Sequence, residues 1–258
     1  MGKHFFTDTS GGKLRVFQKH IFENKPAIVF LHDSLGCIEL WRDFPEKLST
    51  QVSCNLLIYD RQGYGRSCNF SDPVRNIDYM ELEADILYEI ITKLNLKNTI
   101  LFGHSDGGSI ALICGARYPE AVAGIITEGA HIFVENETVA GIKTALKAYE
   151  TTDLRSKLEK YHSGKTEEMF RAWTDTWLSA EFSHWNIVSL LPKINCPVLA
   201  IQGENDEYGS YKQVAGITGQ VTGPSSEFIV ADAGHSPHNE YPGLIIDRVA
   251  KFIKGLRF

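Results

Sequence analysis

The chain has no surplus of positive charge: 26 Lys and Arg face 32 Asp and Glu, for a net charge of −6. A nucleic-acid footprint needs a basic face, so that class of partner is excluded. Cysteine is sparse. The five, at 37, 54, 68, 114 and 196, are odd in number and lack metal-type spacing. They read as reduced thiols of a cytoplasmic protein, with no metal centre, and Cys114 as a small core residue. No apolar run reaches the length of a membrane span. The opening Met-Gly-Lys-His-Phe-Phe-Thr-Asp carries no secretory apolar core, and Phe6 stands where a myristoylation signal needs Ser or Thr. Repeats and low-complexity segments are absent as well. Beyond this, the weakly acidic balance says little about partners.

The 258 residues, 43% apolar and 22% charged, suffice for a substantial core. Strand-like and helix-like stretches alternate along them. Leu14 to Phe22 alternates in strand fashion, Pro26 to His32 is a continuous apolar run, Ile38 to Leu48 reads as a short helix, and Asn55 to Asp60 as a buried strand. Ile77, Met80, Ala84, Leu87, Ile91 and Leu94 recur at helical spacing, which predicts a helix over 76–95. Further strands are expected at 98–102, 122–127, 197–203 and 227–231, with a last helix over 244–254. Apolar strands separated by helices predict an α/β fold, a parallel sheet covered on both faces. Between 133 and 191 the alternation stops, and several helices holding Trp173, Trp177 and Trp185 take its place. That insertion is expected to form a cap (133–191) over a core built from 1–132 and 192–258. Trp173 and Trp177, four residues apart on one helix face, are candidates for substrate contact.

Gly103-His104-Ser105-Asp106-Gly107 lies between the strand at 98–102 and a helix stopped by Pro119. A G-x-S-x-G pentapeptide in that setting is a nucleophile elbow. Side chains at 103 or 107 would collide with the neighbouring strand or helix, and the serine is held strained with its Oγ exposed. Serine needs a histidine to take its proton and an acid to orient that histidine. Asp206 follows the strand at 197–203, and His235 follows the strand at 227–231, so both share the sheet edge of Ser105. The triad is therefore expected to be Ser105, His235 and Asp206. Glu128, closing the strand at 122–127, is the rival acid or a substrate contact. The oxyanion hole needs two backbone N–H groups. Asp106 is expected to supply one, and Ser34, in the loop after His32, the other. Asp60 to Ser67 is glycine-rich without phosphate-loop order and reads as a turn supporting the site.

Together, His32 to Gly36, Asp60 to Ser67, Gly103 to Gly107, Gly203 to Asp206 and Gly234-His235 resemble the α/β-hydrolase fold family over nearly the whole chain. The resemblance implies a mostly parallel eight-stranded sheet, a cap inserted after strand six, no cofactor, and ester or related hydrolysis. One departure is Asp33, where the family commonly has glycine; facing the pocket, it would disfavour anionic substrates. Asp106 after the nucleophile looks like the elbow of amino-acid ester hydrolases, in which this acid helps hold a substrate ammonium. Equally, an acid suits a helix N-terminus without any ligand. The leading expectation is a serine hydrolase of small or medium carboxylic esters. Open alternatives are hydrolysis of a carbon–carbon bond in a ring-cleavage product, cofactor-free dioxygenation with His235 as base and Glu128 as its partner, and a ligand-binding receptor that retains the triad.

Overall fold

The computed structural model describes residues 2–72 and 74–257. Eight strands form one sheet: β1 (Lys3–Thr9), β2 (Gly12–Lys19), β3 (Ala27–Leu31), β4 (Asn55–Tyr59), β5 (Thr99–His104), β6 (Val122–Glu128), β7 (Val198–Gly203) and β8 (Ser225–Val230). Their order is β1-β2-β4-β3-β5-β6-β7-β8. β1 and β2 form an antiparallel hairpin, β2 pairs antiparallel with β4, and every pairing from β4 to β8 is parallel. The central strands are buried on both faces, which is why they read in sequence as unbroken apolar runs.

Helices α1 (Phe44–Val52) and α9 (Pro242–Lys254) cover one face, where Phe44, Leu48, Ile245 and Val249 pack on Phe30, Phe102 and Ile126. The other face carries α2 (Tyr79–Lys93), α3 (Asp106–Arg117) and α7 (Tyr211–Gln220). A short α8 (Pro237–Glu240) precedes α9, and α4 (Asn136–Thr151), α5 (Leu154–His162) and α6 (Thr166–Trp177) form a helical insertion between β6 and β7. None of the described helices is long and apolar enough to cross a membrane. From β3 the chain turns to β4 on one side, and it returns to β5 on the other. The carboxyl ends of β3 and β5 therefore open a crevice between them, where ligands bind in sheets of this kind.

Three elements differ from expectation. β1 lies at the sheet edge with alternating exposure, and its KHFFTDT segment carries no buried run. α7 contains two glycines and β-branched residues, a poor helix former that tertiary packing nevertheless orders. The helix expected over 38–48 is two elements, a 3-10 turn at Ile38–Trp41 and then α1, separated at Arg42 with φ 53°. Pro45 explains the break: it starts a helix readily but cannot sit inside one.

Candidate active site

Ser105 sits between β5 and α3 with φ 55° and ψ −121°, a strained backbone for a non-glycine residue. Its amide donates to the Glu128 carbonyl at 2.8 Å, and its carbonyl accepts from Gly108 at 2.8 Å. The turn tolerates no bulk beside it. A Cβ on Gly103 would overlap the Gly107 carbonyl, and one on Gly107 would overlap the Leu31 carbonyl at the end of β3.

His235, in the loop after β8, is held at three atoms. Its Nδ1 hydrogen-bonds Asp206 Oδ1 at 2.8 Å, its amide donates to Glu207 at 3.2 Å, and its carbonyl accepts from His104 Nε2 at 2.9 Å. Asp206, after β7, also accepts from the Tyr208 amide at 2.9 Å. Gly129 has φ 59°, and a Cβ there would press on the imidazole. Burial is the largest single influence on His235 and lowers its pKa. The Asp206 charge and hydrogen bond, with Glu207 and Asp33, outweigh it, and the pKa stands above the ordinary 6.5. Burial likewise disfavours the Asp206 carboxylate, but His235 reverses this and holds its pKa below the usual value.

Ser105, His235, Ser34 and Asp106 all line one cavity of about 210 Å3. The expected Trp173 and Trp177 line it too, brought from α6, with Ile142 from α4. Asp33, Glu207, Tyr208 and His131 complete much of the wall; of these the sequence reading singled out only Asp33. Glu207 and Tyr208 adjoin Asp206, so the loop after β7 was the available signal. No lysine or arginine lines the cavity among the described residues.

The loop after β3 is a tight turn closed by the Gly36 amide on the Asp33 carbonyl at 3.3 Å. That carbonyl also accepts from His32 Nδ1 at 2.7 Å and from Arg61 Nη2 at 3.0 Å. Carbonyl and N–H of a trans peptide point in opposite directions. Drawing the Asp33 carbonyl inward therefore turns the Ser34 N–H away from Arg61, and that N–H has no partner among the described residues. Arg61, fully buried, also lies 3.6 Å from the Asp106 carboxylate. Burial opposes its charge, but Tyr64, Glu83 and Asp106 around it outweigh the effect and raise its pKa. Asp106 in addition accepts from the Tyr79 hydroxyl at 3.1 Å, and Tyr79 accepts from Trp177 Nε1 at 2.9 Å. The Asp60–Ser67 segment supports this loop through Asp60, which accepts from the amides of Ile38 at 2.7 Å and Arg66 at 2.9 Å.

Glu128 is not at the cavity, contrary to the expectation that it contacts substrate. Side chains two apart on a strand share a face, so Glu128 lies with Ile126 on the α1/α9 side. There it is fully buried and bonded to His238, through Nδ1 at 2.5 Å and the amide at 3.2 Å. His238 in turn packs on Trp41 and Phe44. Donor atoms of His104, Glu128 and His238 lie within 4.8 Å of one another. His238 and Glu128 are engaged with each other, and His104 with the His235 carbonyl, so these hydrogen bonds account for the cluster. Burial brings His104 down to about 4, so its ring is neutral at physiological pH.

Residues 26–186 match the alpha/beta hydrolase fold family. Serine hydrolase BPHL of Homo sapiens is 30% identical over 197 residues, 71% of this chain; the chain spans 64% of that relative's length. A 2-hydroxy-6-oxononadienedioate/2-hydroxy-6-oxononatrienedioate hydrolase of Klebsiella pneumoniae is 26% identical over 95% of this chain and 93% of its own. An alpha/beta hydrolase enzyme from a Medee basin deep-sea metagenome library superposes with a TM-score of 0.79, covering 98% of each chain at 17% identity.

Proposed function

The chain belongs to the α/β-hydrolase fold family, and from that premise we propose that it is a serine hydrolase cleaving small or medium carboxylic esters. The observation that carries this reading is the 2.8 Å bond from His235 to Asp206 beside a cavity that also holds Ser105 at a strained elbow. With Nδ1–H donated to the carboxylate, the lone pair of His235 is on Nε2. Ser105 Oγ attacks the ester carbonyl and its proton passes to Nε2. The C–O bond then breaks, and His235 returns the proton to the leaving alcohol. A water, deprotonated by the same nitrogen, releases the acid and restores Ser105. The free Ser34 N–H and the Asp106 N–H at the start of α3 are the donors for the oxyanion. Each such donor is worth about 2.7–4 kcal/mol in the transition state.

The cavity, about 210 Å3, fits a short or medium acyl group against Ile142, Trp173 and Trp177. On this reading the helices of 133–191 are a cap that closes the pocket. Asp106 is balanced by Arg61 behind it, but Asp33 and Glu207 also line the wall and no lysine or arginine does among the described residues. That favours neutral esters over the dioate substrates named for the Klebsiella relative. The Asp106 carboxylate already faces Arg61 and the Tyr79 hydroxyl, which favours a role in holding the site over capture of a substrate ammonium.

The test is labelling of Ser105 by a fluorophosphonate together with hydrolysis of p-nitrophenyl esters, with aminoacyl esters of equal size in the panel. Labelling that disappears in Ser105→Ala is expected, with less than about a fivefold preference for the amine, under 1 kcal/mol. A folded protein whose Ser105 does not react would refute the proposal.

A further inference from the structure

His162, the last residue of α5, is fully buried and joins the helical insertion to two loops of the sheet domain. Its Nδ1 accepts from the Gly65 amide at 3.0 Å, and its Nε2 donates to the Leu35 carbonyl at 3.1 Å. An amide N–H only donates and a carbonyl only accepts, so the ring must be neutral with its hydrogen on Nε2. Burial, which lowers its pKa, keeps it so. Three residues on, Lys165 Nζ donates to the carbonyls of Tyr64 at 3.1 Å and Ser67 at 2.6 Å. The insertion is thus fastened to the 60–67 loop by two side chains, and to the turn after β3 by His162.

That turn is the one whose free amide is Ser34 N–H. Its near end is gripped from the core, where His32 and Arg61 hold the Asp33 carbonyl. The far end, the Leu35 carbonyl, is gripped from the insertion. A four-residue turn held at both ends has little freedom, and a displacement of about 1 Å at an oxyanion donor is enough to lose as much as a hundredfold in rate. We propose that His162 is a positioning residue that couples the seating of the helical insertion to the direction of the Ser34 amide, so that the oxyanion hole is complete only while the insertion is docked. This rests on the reading of Ser34 as an oxyanion donor.

Two substitutions separate the two hydrogen bonds. The amide nitrogen of His162→Gln reaches the place of Nε2 and keeps the bond to Leu35, while the shorter His162→Asn sets its oxygen near Nδ1 and keeps only the bond to Gly65. Steady-state kinetics on a p-nitrophenyl ester, the fluorophosphonate labelling rate of Ser105 and thermal melting are measured for both and for the unsubstituted protein. In His162→Asn, kcat is expected to fall about tenfold or more, up to the roughly hundredfold to thousandfold that outright loss of an oxyanion donor costs. KM should stay within about twofold, and the labelling rate should fall in parallel. His162→Gln should retain kcat to within about threefold. Equal losses in the two variants would overturn the proposal, and so would a His162→Asn protein that melts earlier with kcat unchanged. An unsubstituted protein that hydrolyses no ester and is not labelled would instead bring down the functional reading, and this inference with it.

Discussion

Replacing Asp206 by asparagine tests the centre of the proposed site, because it keeps the shape and removes the charge. In the native protein the carboxylate accepts from His235 Nδ1 at 2.8 Å and from the Tyr208 amide at 2.9 Å. Both donors meet the same oxygen, Oδ1, so asparagine can keep both bonds through its own oxygen and loses only the charge. A neutral amide no longer stabilises the imidazolium that forms when His235 takes the proton of Ser105. A loss of up to about 10⁴ in kcat is expected, or at most roughly 5.4 kcal/mol at 1.36 kcal/mol per decade. The pH profile carries a second, independent signature. His235 must be neutral to act as base, and its pKa is raised, so kcat/KM of the native protein should rise with pH through a midpoint above 6.5. Without Asp206 burial is opposed only by Glu207 and Asp33, and the midpoint should move down. Initial rates on a p-nitrophenyl ester from pH 5 to 9, beside thermal melts, would measure both. A variant keeping more than about a tenth of the native rate, or a midpoint that does not move down, would refute the assignment.

Glu128→Gln should show the opposite balance. Weakening its buried bonds to His238 is expected to cost about 1–3 kcal/mol of stability, read by chemical denaturation, with kcat within about threefold; a large loss of kcat without loss of stability would make Glu128 the acid instead. Acid should destabilise the fold below pH 6.5. Burial lowers the pKa of His32, His104, His131 and His162, so the unfolded chain takes up these protons first as pH falls. Each contributes up to about 1.36 kcal/mol per pH unit between its unfolded and folded values. His235, with its raised pKa, acts in the opposite sense: its contribution is present below 6.5 and lost as pH rises through the folded value. With His4, lowered too, five histidines stand against His235 and the burial-raised carboxyls of Asp60, Glu81 and Glu83. A melting temperature that does not fall between pH 7 and 5 would contradict the net loss expected from the histidines.

The α/β architecture was legible because its signals are local. A strand buried on both faces must be apolar throughout, and β3 to β7 announce themselves that way. The elbow is local too, since Gly103 and Gly107 answer to backbone atoms a few residues away or on the adjacent strand. β1 and α7 were not legible: an edge strand has no obligatory apolar run, and α7 owes its helix to packing. For the site, chain order alone brings Ser105, Asp206 and His235 to one sheet edge. Side-chain destinations were another matter. Glu128 closes a strand at the same edge, yet the pleat sends it to the opposite face and His238.

The sequence by itself determined the parallel strands, the turn at Ser105 and the places of Asp206 and His235 after two of those strands, because each depends on contacts within a few residues or on strand order. Only the tertiary structure decided which buried groups hold that site in shape. Arg61 and His32 set the Ser34 peptide, His104 ties the His235 carbonyl, and His162 reaches across from the insertion. These partners come from loops far apart in the chain. A buried hydrogen bond is satisfied by whatever the fold brings within about 3 Å, and no local pattern records it.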